Sequence, residues 1–503
     1  MGLPEDKDFV LPFDLGQHMR EWLAKKQLEN TFFYTPPESE RKVTPYSTKE
    51  IAATLPHFTR ELLLVMYDSG FDDFVVLLPG LAGGPPPKCD AGCAKIGNIM
   101  QAIVSAFRNR HSHRFQGREG ESSSTDLLFL VSTADTPRLT RECLARPGDC
   151  QRRKAFAPIM HFGSGFSDLT ILPTLITMPP PPRMHLRCMA EWQARHEVCE
   201  YLLPKTIAAD GRETQGVVFG KVTEEGEEGI VWEDLINQVV WRGQDYSYMP
   251  LLHPELKSLD FVTDVDPKLR KYGRGVGGVL HALDDVYDEL RPRWKAAVIT
   301  AHSEFEANVM NVNPKRNTKV IPWANMKFLP GALDTNMKLC REHGVPVRED
   351  ELLLDELAKY KYHIDLGGGG GTSLSGTIQK LAFPGVLFHP ETSGYDWYHE
   401  HLQPWVHYVP VKEDLSDLKE KNEWAERHDR KARAIAKMST EFVRRMGRPE
   451  GLEELYRRHF LKPLEDVMEA YQSNGGLTDL GGDILIFKEI MRCSGYNIDD
   501  CVL

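Results

Sequence analysis

The sequence predicts an α/β protein built from two Rossmann-like domains, on three observations. First, the apolar runs Asp73 to Leu78 and Leu127 to Val131 flank a segment with Ile96, Ile99, Met100, Ile103, Val104 and Phe107 on one helical face. Strand, helix and strand at that spacing imply a parallel sheet. Second, the strand-like run Ile236 to Trp241 opens a new sheet and delivers Arg242-Gly243 to its carboxyl end. Third, Tyr362 to Leu366 reads as a strand, breaks into the five glycines Gly367 to Gly371, and resumes as a helix around Ile378, Leu381 and Ala382. These elements place an N-terminal arm at 1–47, a first domain at 48–215, a second at 216–446, and C-terminal helices at 447–503.

Taken in order, residues 1–47 are polar and proline-punctuated, which suits an arm lying over the first domain. The second strand, Leu127 to Val131, ends in Ser132 to Arg138, STADTPR. Ligands of open parallel sheets gather beyond the carboxyl ends of strands, so Asp135 stands where a carboxylate meets a substrate. An Asx-turn is the plain alternative for an aspartate in that setting. MPPPPR (Met178 to Arg183) and KVTEEGEEG (Lys221 to Gly229) read as loops, with the domain boundary near 205–230. Towards the C-terminus, Asp414 or Ser416 is a suitable helix N-cap, and Ile435, Met438, Phe442 and Met446 form one apolar stripe.

Composition narrows the function classes. The chain has 503 residues, a hydrophobic content of 41% and a formal net charge of −12. That is enough chain for two large cores. No basic stripe is long enough to track a phosphate backbone, so nucleic acid is not expected as a partner. No apolar run reaches membrane-spanning length, and Met1 to Arg20 lacks the apolar centre of a signal peptide. The 9 cysteines are scattered; Cys89 with Cys93, Cys143 with Cys150, and Cys188 with Cys199 are near enough in sequence to bridge in an oxidising compartment, or to remain thiols in a reducing one.

The chemistry centres on the glycine run. Glycine lets a backbone approach a ligand closely, and unpaired amides before a helix attract phosphate. Gly367, Gly368, Gly369, Gly370 and Gly371, with the hydroxyls of Thr372, Ser373, Ser375 and Thr377, are therefore an expected anion cradle. A flexible linker is the other reading of such a run. Arg242 offers a permanently charged forked donor suited to a diphosphate, against the simpler reading of a surface pair with Asp245. Asp264-Val265-Asp266, before Pro267, has the Asp-x-Asp form that holds a divalent cation, but acidic triplets before proline are common in turns, and no metal site is assigned.

The segment LQPWVHYVPVKEDLSDLKEKNEWA, Leu402 to Ala425, resembles the C-terminal signature of glycosyltransferase family 90, the capsule-associated-protein and protein O-glucosyltransferase (Rumi-like) family. Lys361-Tyr362, the glycine loop, Pro384 to Phe388, Pro404 to Val411 and Asp414-Leu415-Ser416 follow that family's order. NQVVWRGQDY, Asn237 to Tyr246, looks like its aromatic-Arg-Gly turn, and Lys327-Phe328 like a further position without an assigned role. The resemblance is strong over 361–446, moderate over 232–250 and weak before 205.

That resemblance implies a GT-B-like architecture of two facing Rossmann-like domains and an inverting transfer of a sugar, glucose or xylose, from a UDP-sugar to a hydroxyl of a protein or glycan. It implies no cofactor beyond the donor substrate, and a place in the endoplasmic reticulum or Golgi lumen, although no signal peptide is visible. Asp135 in Asp135-Thr136-Pro137 resembles the family's base triplet, with Thr in place of an aromatic residue. His161, in a segment where Ser164 and Asp168 also resemble acceptor-side positions, is the second candidate base. Arg242, the glycine amides, Thr372, Ser373, Ser375, Thr377 and Lys380 fall to the UDP. One departure matters: many members carry an arginine opening the helix after the loop, and here Gly376 or Thr377 stands there, with Lys380 as the nearest substitute. A silent sugar-nucleotide or glycan-binding relative is the alternative this departure motivates, and a scaffold whose glycines only link is a third reading.

Overall fold

The computed structural model describes residues 43–57, 62–68, 73–78, 96–97, 99–100, 102–104, 106, 127–134, 156–163, 165–166, 175–177, 206–207, 213–214, 232–250, 252–312, 319–330, 335–352, 354–373, 375–446, 454–455, 457–472 and 483–486. The chain divides into two compact units. One comprises Thr35–Arg195, Ser393–His399 and Pro449–Leu503; the other contains His196–Thr392 and Glu400–Arg448.

The first unit holds a six-stranded mixed sheet of β1 (Leu62–Asp68), β2 (Asp73–Leu78), β3 (Leu127–Ser132), β4 (Ile159–His161), β6 (Leu175–Thr177) and β15 (Asp483–Ile486), in the order β15-β2-β1-β3-β4-β6. β3, β4 and β6 are parallel, as a Rossmann-like reading requires. The parallel sheet expected from the strands at 73–78 and 127–131 is corrected to a mixed one. They run in the same direction, but β1 lies between them, antiparallel to both. The physical reason is that β1, whose Leu62 to Tyr67 are all buried, takes its place through pairing with β3 far along the chain, which no local pattern carries. The apolar face of the intervening helix goes inward, with Ile99, Met100, Ile103 and Val104 buried. Helix α1 (Thr48–Thr54) opens on a capping box between Ser47 and Glu50. Just before it, Tyr46 is buried; its hydroxyl donates to the Leu128 carbonyl at 2.9 Å and its amide to the Ala470 carbonyl at 3.0 Å. A short ladder of β5 (Gly165–Phe166) with β13 (Gly394–Tyr395) completes this unit.

In the second unit, β7 (Thr206–Ile207) and β8 (Glu213–Thr214) form a small hairpin ladder. The main element is a five-stranded, wholly parallel sheet of β9 (Ile236–Gly243), β10 (Ala324–Phe328), β11 (Tyr360–Ile364), β12 (Val386–Glu391) and β14 (Val409–Lys412), in the order β10-β9-β11-β12-β14. Val239 to Trp241, Tyr362 to Ile364 and Val386 to Phe388 are buried, as strands covered on both faces should be. Helices α2 (Val276–Asp284), α3 (Pro292–Asn311), α4 (Thr335–Glu342), α5 (Ser375–Ala382), α6 (Leu418–Arg427) and α7 (Asp429–Met446) belong to this unit, and α8 (Lys462–Ala470) to the first. The apolar stripe expected on α7 is fully buried at Ile435, Met438, Phe442 and Met446. The preceding helix starts later than expected. Asp417 is its N-cap, while Asp414 accepts from the Ser416 amide in a turn whose next member, Leu415, has a φ of 62°.

The edge of the parallel sheet is closed by a single backbone bridge and by side chains. On the outer side of β10, Phe328 N donates to the Val347 carbonyl at 2.9 Å, and α3 takes the amides before it. Thr300 Oγ1 accepts from Met326 N at 2.8 Å, and Ser303 Oγ from Trp323 N and Ala324 N at 2.9 and 3.2 Å. Thr300 and Ser303 are themselves buried, so these bonds replace water that has no access.

Candidate functional site

The strand order fixes where a ligand belongs. From β9 the chain goes to β10 on one side and only then returns to β11 on the other, so the order reverses between β9 and β11. In open parallel sheets the crevice beyond the carboxyl ends of those two strands is the binding position. Here it lies between the loop after Gly243 and the loop after Ile364, which begins the glycine run.

That run is a folded turn. Gly371 N donates to the Gly368 carbonyl at 3.0 Å, and Gly368 N to the Thr372 carbonyl at 3.2 Å. Gly371 has a φ of 76°, in the region that favours glycine. A Cβ on Gly367 would stand 2.2 Å from the Gly371 carbonyl carbon and 2.6 Å from Thr372 N, both main-chain atoms. Gly367, Gly370 and Gly371 are buried, and Gly368 and Gly369 half-buried. Thr392 Oγ1 donates to the Gly371 carbonyl at 3.1 Å and ties the turn to the end of β12. These bonds set aside the linker reading of the five glycines.

Behind the turn sits a carboxylate. Asp365 is buried, and the hydroxyls of Ser373 and Thr377 both donate to it. Lys380 Nζ lies 3.2 Å from its Oδ1 and His389 Nδ1 3.3 Å from its Oδ2. Burial alone would push the Asp365 carboxyl up, but Lys380, His389 and Ser373 prevail and hold it well below the usual carboxylate range. Lys380 also donates to the Gly376 carbonyl at 3.2 Å within its helix. Next to this cluster His363 is fully buried, and burial followed by the Lys380 charge pushes its imidazole down to about 3.

A second charged group organises the crevice. Arg293, in the first turn of α3, reaches both loops. Its Nε donates to the Leu366 and Gly367 carbonyls, each at 3.2 Å, Nη2 to Leu366 O at 2.9 Å, and Nη1 to Gln244 O at 2.5 Å. The guanidinium also lies 5.3 Å from the ring centres of Trp241 and Tyr246. Burial lowers its pKa to about 10, against the opposing pull of Asp365 and Asp245, so it stays charged at neutral pH. Neighbouring Trp294 donates from Nε1 to Asp245 Oδ2 at 3.0 Å. Tyr246 is 58% exposed, which puts its ring on the open side of the crevice.

Residues 324–461 match the model of glycosyl transferase family 90. The match is confined to this segment of the chain. Among similar proteins, protein O-glucosyltransferase 2 of Danio rerio is 41% identical over 86 residues, which is 17% of this chain and 17% of that protein. Protein O-glucosyltransferase 1 of Rattus norvegicus is 36% identical over 101 residues, 20% of this chain and 25% of that one. Uncharacterized protein 035R of Invertebrate iridescent virus 3 is 50% identical over 48 residues, 10% of this chain and 4% of that protein. The chain thus matches a quarter or less of the length of these relatives.

The family 90 segment contains the glycine turn, Ser373, Ser375, Thr377, Lys380 and Asp365, but neither Arg242 nor Arg293. Ser373, Thr377 and Lys380, expected on the diphosphate, converge on Asp365 instead; the side chain of Ser375 lies outside the described residues. Arg242 also differs from expectation. It closes β9 beside the crevice, yet its donors go to the Trp241 carbonyl, to Asn325 O and Oδ1, and to Glu349 at 2.5 Å. Asp245, its alternative partner, lies instead 3.7 Å from Arg291. Asp135, Ser164, Asp168 and the three cysteine pairs lie outside the described residues. The strand leading to Asp135 is present, with Ser132 in register with His161 at the carboxyl ends of β3 and β4. His161 is fully buried. Asp264 pairs with Lys257 at 2.8 Å and accepts from Asp260 N at 3.0 Å, so the acidic triplet has one member already engaged. Among the described residues no helix is long and apolar enough to cross a membrane.

Sequence reading missed Asp365 and Arg293. The first left a signal: an aspartate ending a buried strand, followed at +8 and +12 by hydroxyl side chains. The second left none, because its partners come from residues 241–246 and 366–367.

Proposed function

We propose that this chain is a glycosyltransferase that moves a sugar, glucose or xylose, from a UDP-sugar to a hydroxyl of a protein or glycan with inversion. The observation that carries the reading is the folded glycine turn of the family 90 segment at the switch point of a parallel sheet. In the reaction the acceptor oxygen bonds to the anomeric carbon as the carbon–phosphate oxygen bond breaks. The acceptor proton passes to a carboxylate and the electron pair stays on the departing UDP. The reaction needs a base, which this reading assigns to Asp135, and donors that stabilise the growing diphosphate charge. The amides of Gly368 and Gly371 are already given to carbonyls within the turn, so this reading assigns the second task to the amides of Gly367, Gly369 and Gly370. The lumen of the endoplasmic reticulum or Golgi is the compartment that goes with this reading.

The experiment is UDP release from a panel of UDP-sugars by wild type and Asp135→Asn. Turnover by the wild type, abolished in the variant while UDP binding persists, is the expected result. A second reading has an observation of its own. The helix after the turn offers no arginine, and Lys380 is committed to Asp365. A silent sugar-nucleotide-binding relative would bind UDP and release none from any donor, which would replace the transferase reading.

A further inference from the structure

We infer that Arg293 supplies the positive charge for the donor diphosphate, in place of the arginine that the helix after the glycine turn lacks; the inference rests on the nucleotide-binding reading of this crevice. Three observations converge on it.

The first is the missing cation. Gly376 and Thr377 bear no charge, Lys380 is drawn to Asp365, and Arg242 to Glu349. A carboxylate at hydrogen-bond distance cancels most of the field that each of these cations would present to a phosphate.

The second is that Arg293 is not neutralised in this way. All its bonds run to main-chain carbonyls. Among the described residues no carboxylate pairs with it: Asp245 goes to Trp294 and Arg291, and Asp365 to Lys380. Carbonyl dipoles fix a guanidinium and leave its net charge intact. Burial then strengthens the attraction for an anion that enters beside it. A guanidinium carries five N–H groups. One on Nη1 and one on Nη2 are left without an acceptor among the described residues, and these are the donors that remain for phosphate oxygens.

The third is position. A Cβ placed on Gly368 would stand 3.4 Å from Nη2 and 3.9 Å from Tyr246 Cβ, so the guanidinium is directly against the half-buried face of the turn. Arg293 thus reaches the same point as the amides of the cradle, from a helix far away in sequence. The exposed Tyr246 ring lies beside it.

The test is calorimetric titration of the full chain with UDP and, separately, with uridine, which lacks the phosphates. Wild type should bind UDP more tightly than uridine. Arg293→Gln should weaken UDP roughly 10- to 100-fold, the worth of a charge-assisted pair of bonds, and leave uridine within about twofold. A folded Arg293→Gln that binds UDP as wild type does overturns the inference while the nucleotide site stands. Wild type that binds neither ligand overturns the nucleotide reading itself, and this inference with it. Should Arg293→Gln not fold, Gly368→Ala decides, because its methyl group faces Nη2 without breaking any bond of the arginine. It should weaken UDP selectively over uridine, and an unchanged UDP affinity overturns the inference.

Discussion

Asp365→Asn tests the buried cluster behind the glycine turn most directly. The wild-type carboxylate has Lys380 Nζ at 3.2 Å and accepts from Ser373 and Thr377, and the Lys380 side chain is only 17% exposed. At an effective dielectric constant of about 20, two charges at that distance attract by about 5 kcal/mol. Part of this is offset by the cost of keeping both ions out of water, but the variant removes the attraction and retains the desolvated lysine. The expected loss is therefore about 3–5 kcal/mol, the usual cost of orphaning one member of a buried pair. For a unit of this size that is roughly 6–20 °C in Tm. Urea unfolding followed by circular dichroism measures it. The diagnostic comparison is Asp365→Asn with Lys380→Met: removal of the stranded charge should recover about half or more of the loss, giving a clear coupling in the double-mutant cycle. A loss below about 1 kcal/mol in the single variant, or no recovery in the double, would refute the claim that this ion pair holds the turn.

Gly367→Ala places a methyl 2.2 Å from main chain and should cost more than about 3 kcal/mol in urea unfolding, beyond the usual penalty of overpacking, whereas Gly368→Ala, with nothing closer than 3.4 Å, should stay within about 1 kcal/mol of wild type. His363 should impose a pH dependence on stability. Its folded pKa of about 3 lies below the unfolded value of about 6.5, so its contribution is complete above pH 6.5 or so and is lost as pH falls from there towards 3. Unfolding free energies measured between pH 7 and 4 should fall by up to about 1.4 kcal/mol per pH unit below about 6.5 through this group, and His363→Phe should flatten that limb. Thr300→Val keeps the shape of a buried side chain but leaves Met326 N without its acceptor, and should cost about 1–3 kcal/mol by thermal or urea unfolding.

The elements themselves were largely legible. The strand at 236–243, the glycine turn and the buried stripe of α7 follow from apolar patterning and from glycine's freedom, both of which are local properties. The place of β1 was not, because its neighbour β3 is about sixty residues downstream and that pairing leaves no local pattern. Side-chain destinations were the least legible. Arg242 and Arg293 each stand beside the same crevice, yet one is captured by Glu349 and the other by carbonyls. That difference is set by what β10 and the loop after β11 bring alongside, which no window of sequence contains. The hydroxyls after the glycines show the same limit: their spacing revealed a shared helix face but not that the face looks inward to Asp365.

Helix α3 does two jobs that are usually separate. Its opening turn grips the loops on either side of the crevice through Arg293 and Trp294, and its middle turns hold the margin of β10 through Thr300 and Ser303. One strand and both crevice walls are thus bolted to a single rod. A loop fastened in this way has no hinge of its own, so a nucleotide should meet a receptacle already set in shape, and structures with and without one should superpose along this rod and the glycine turn.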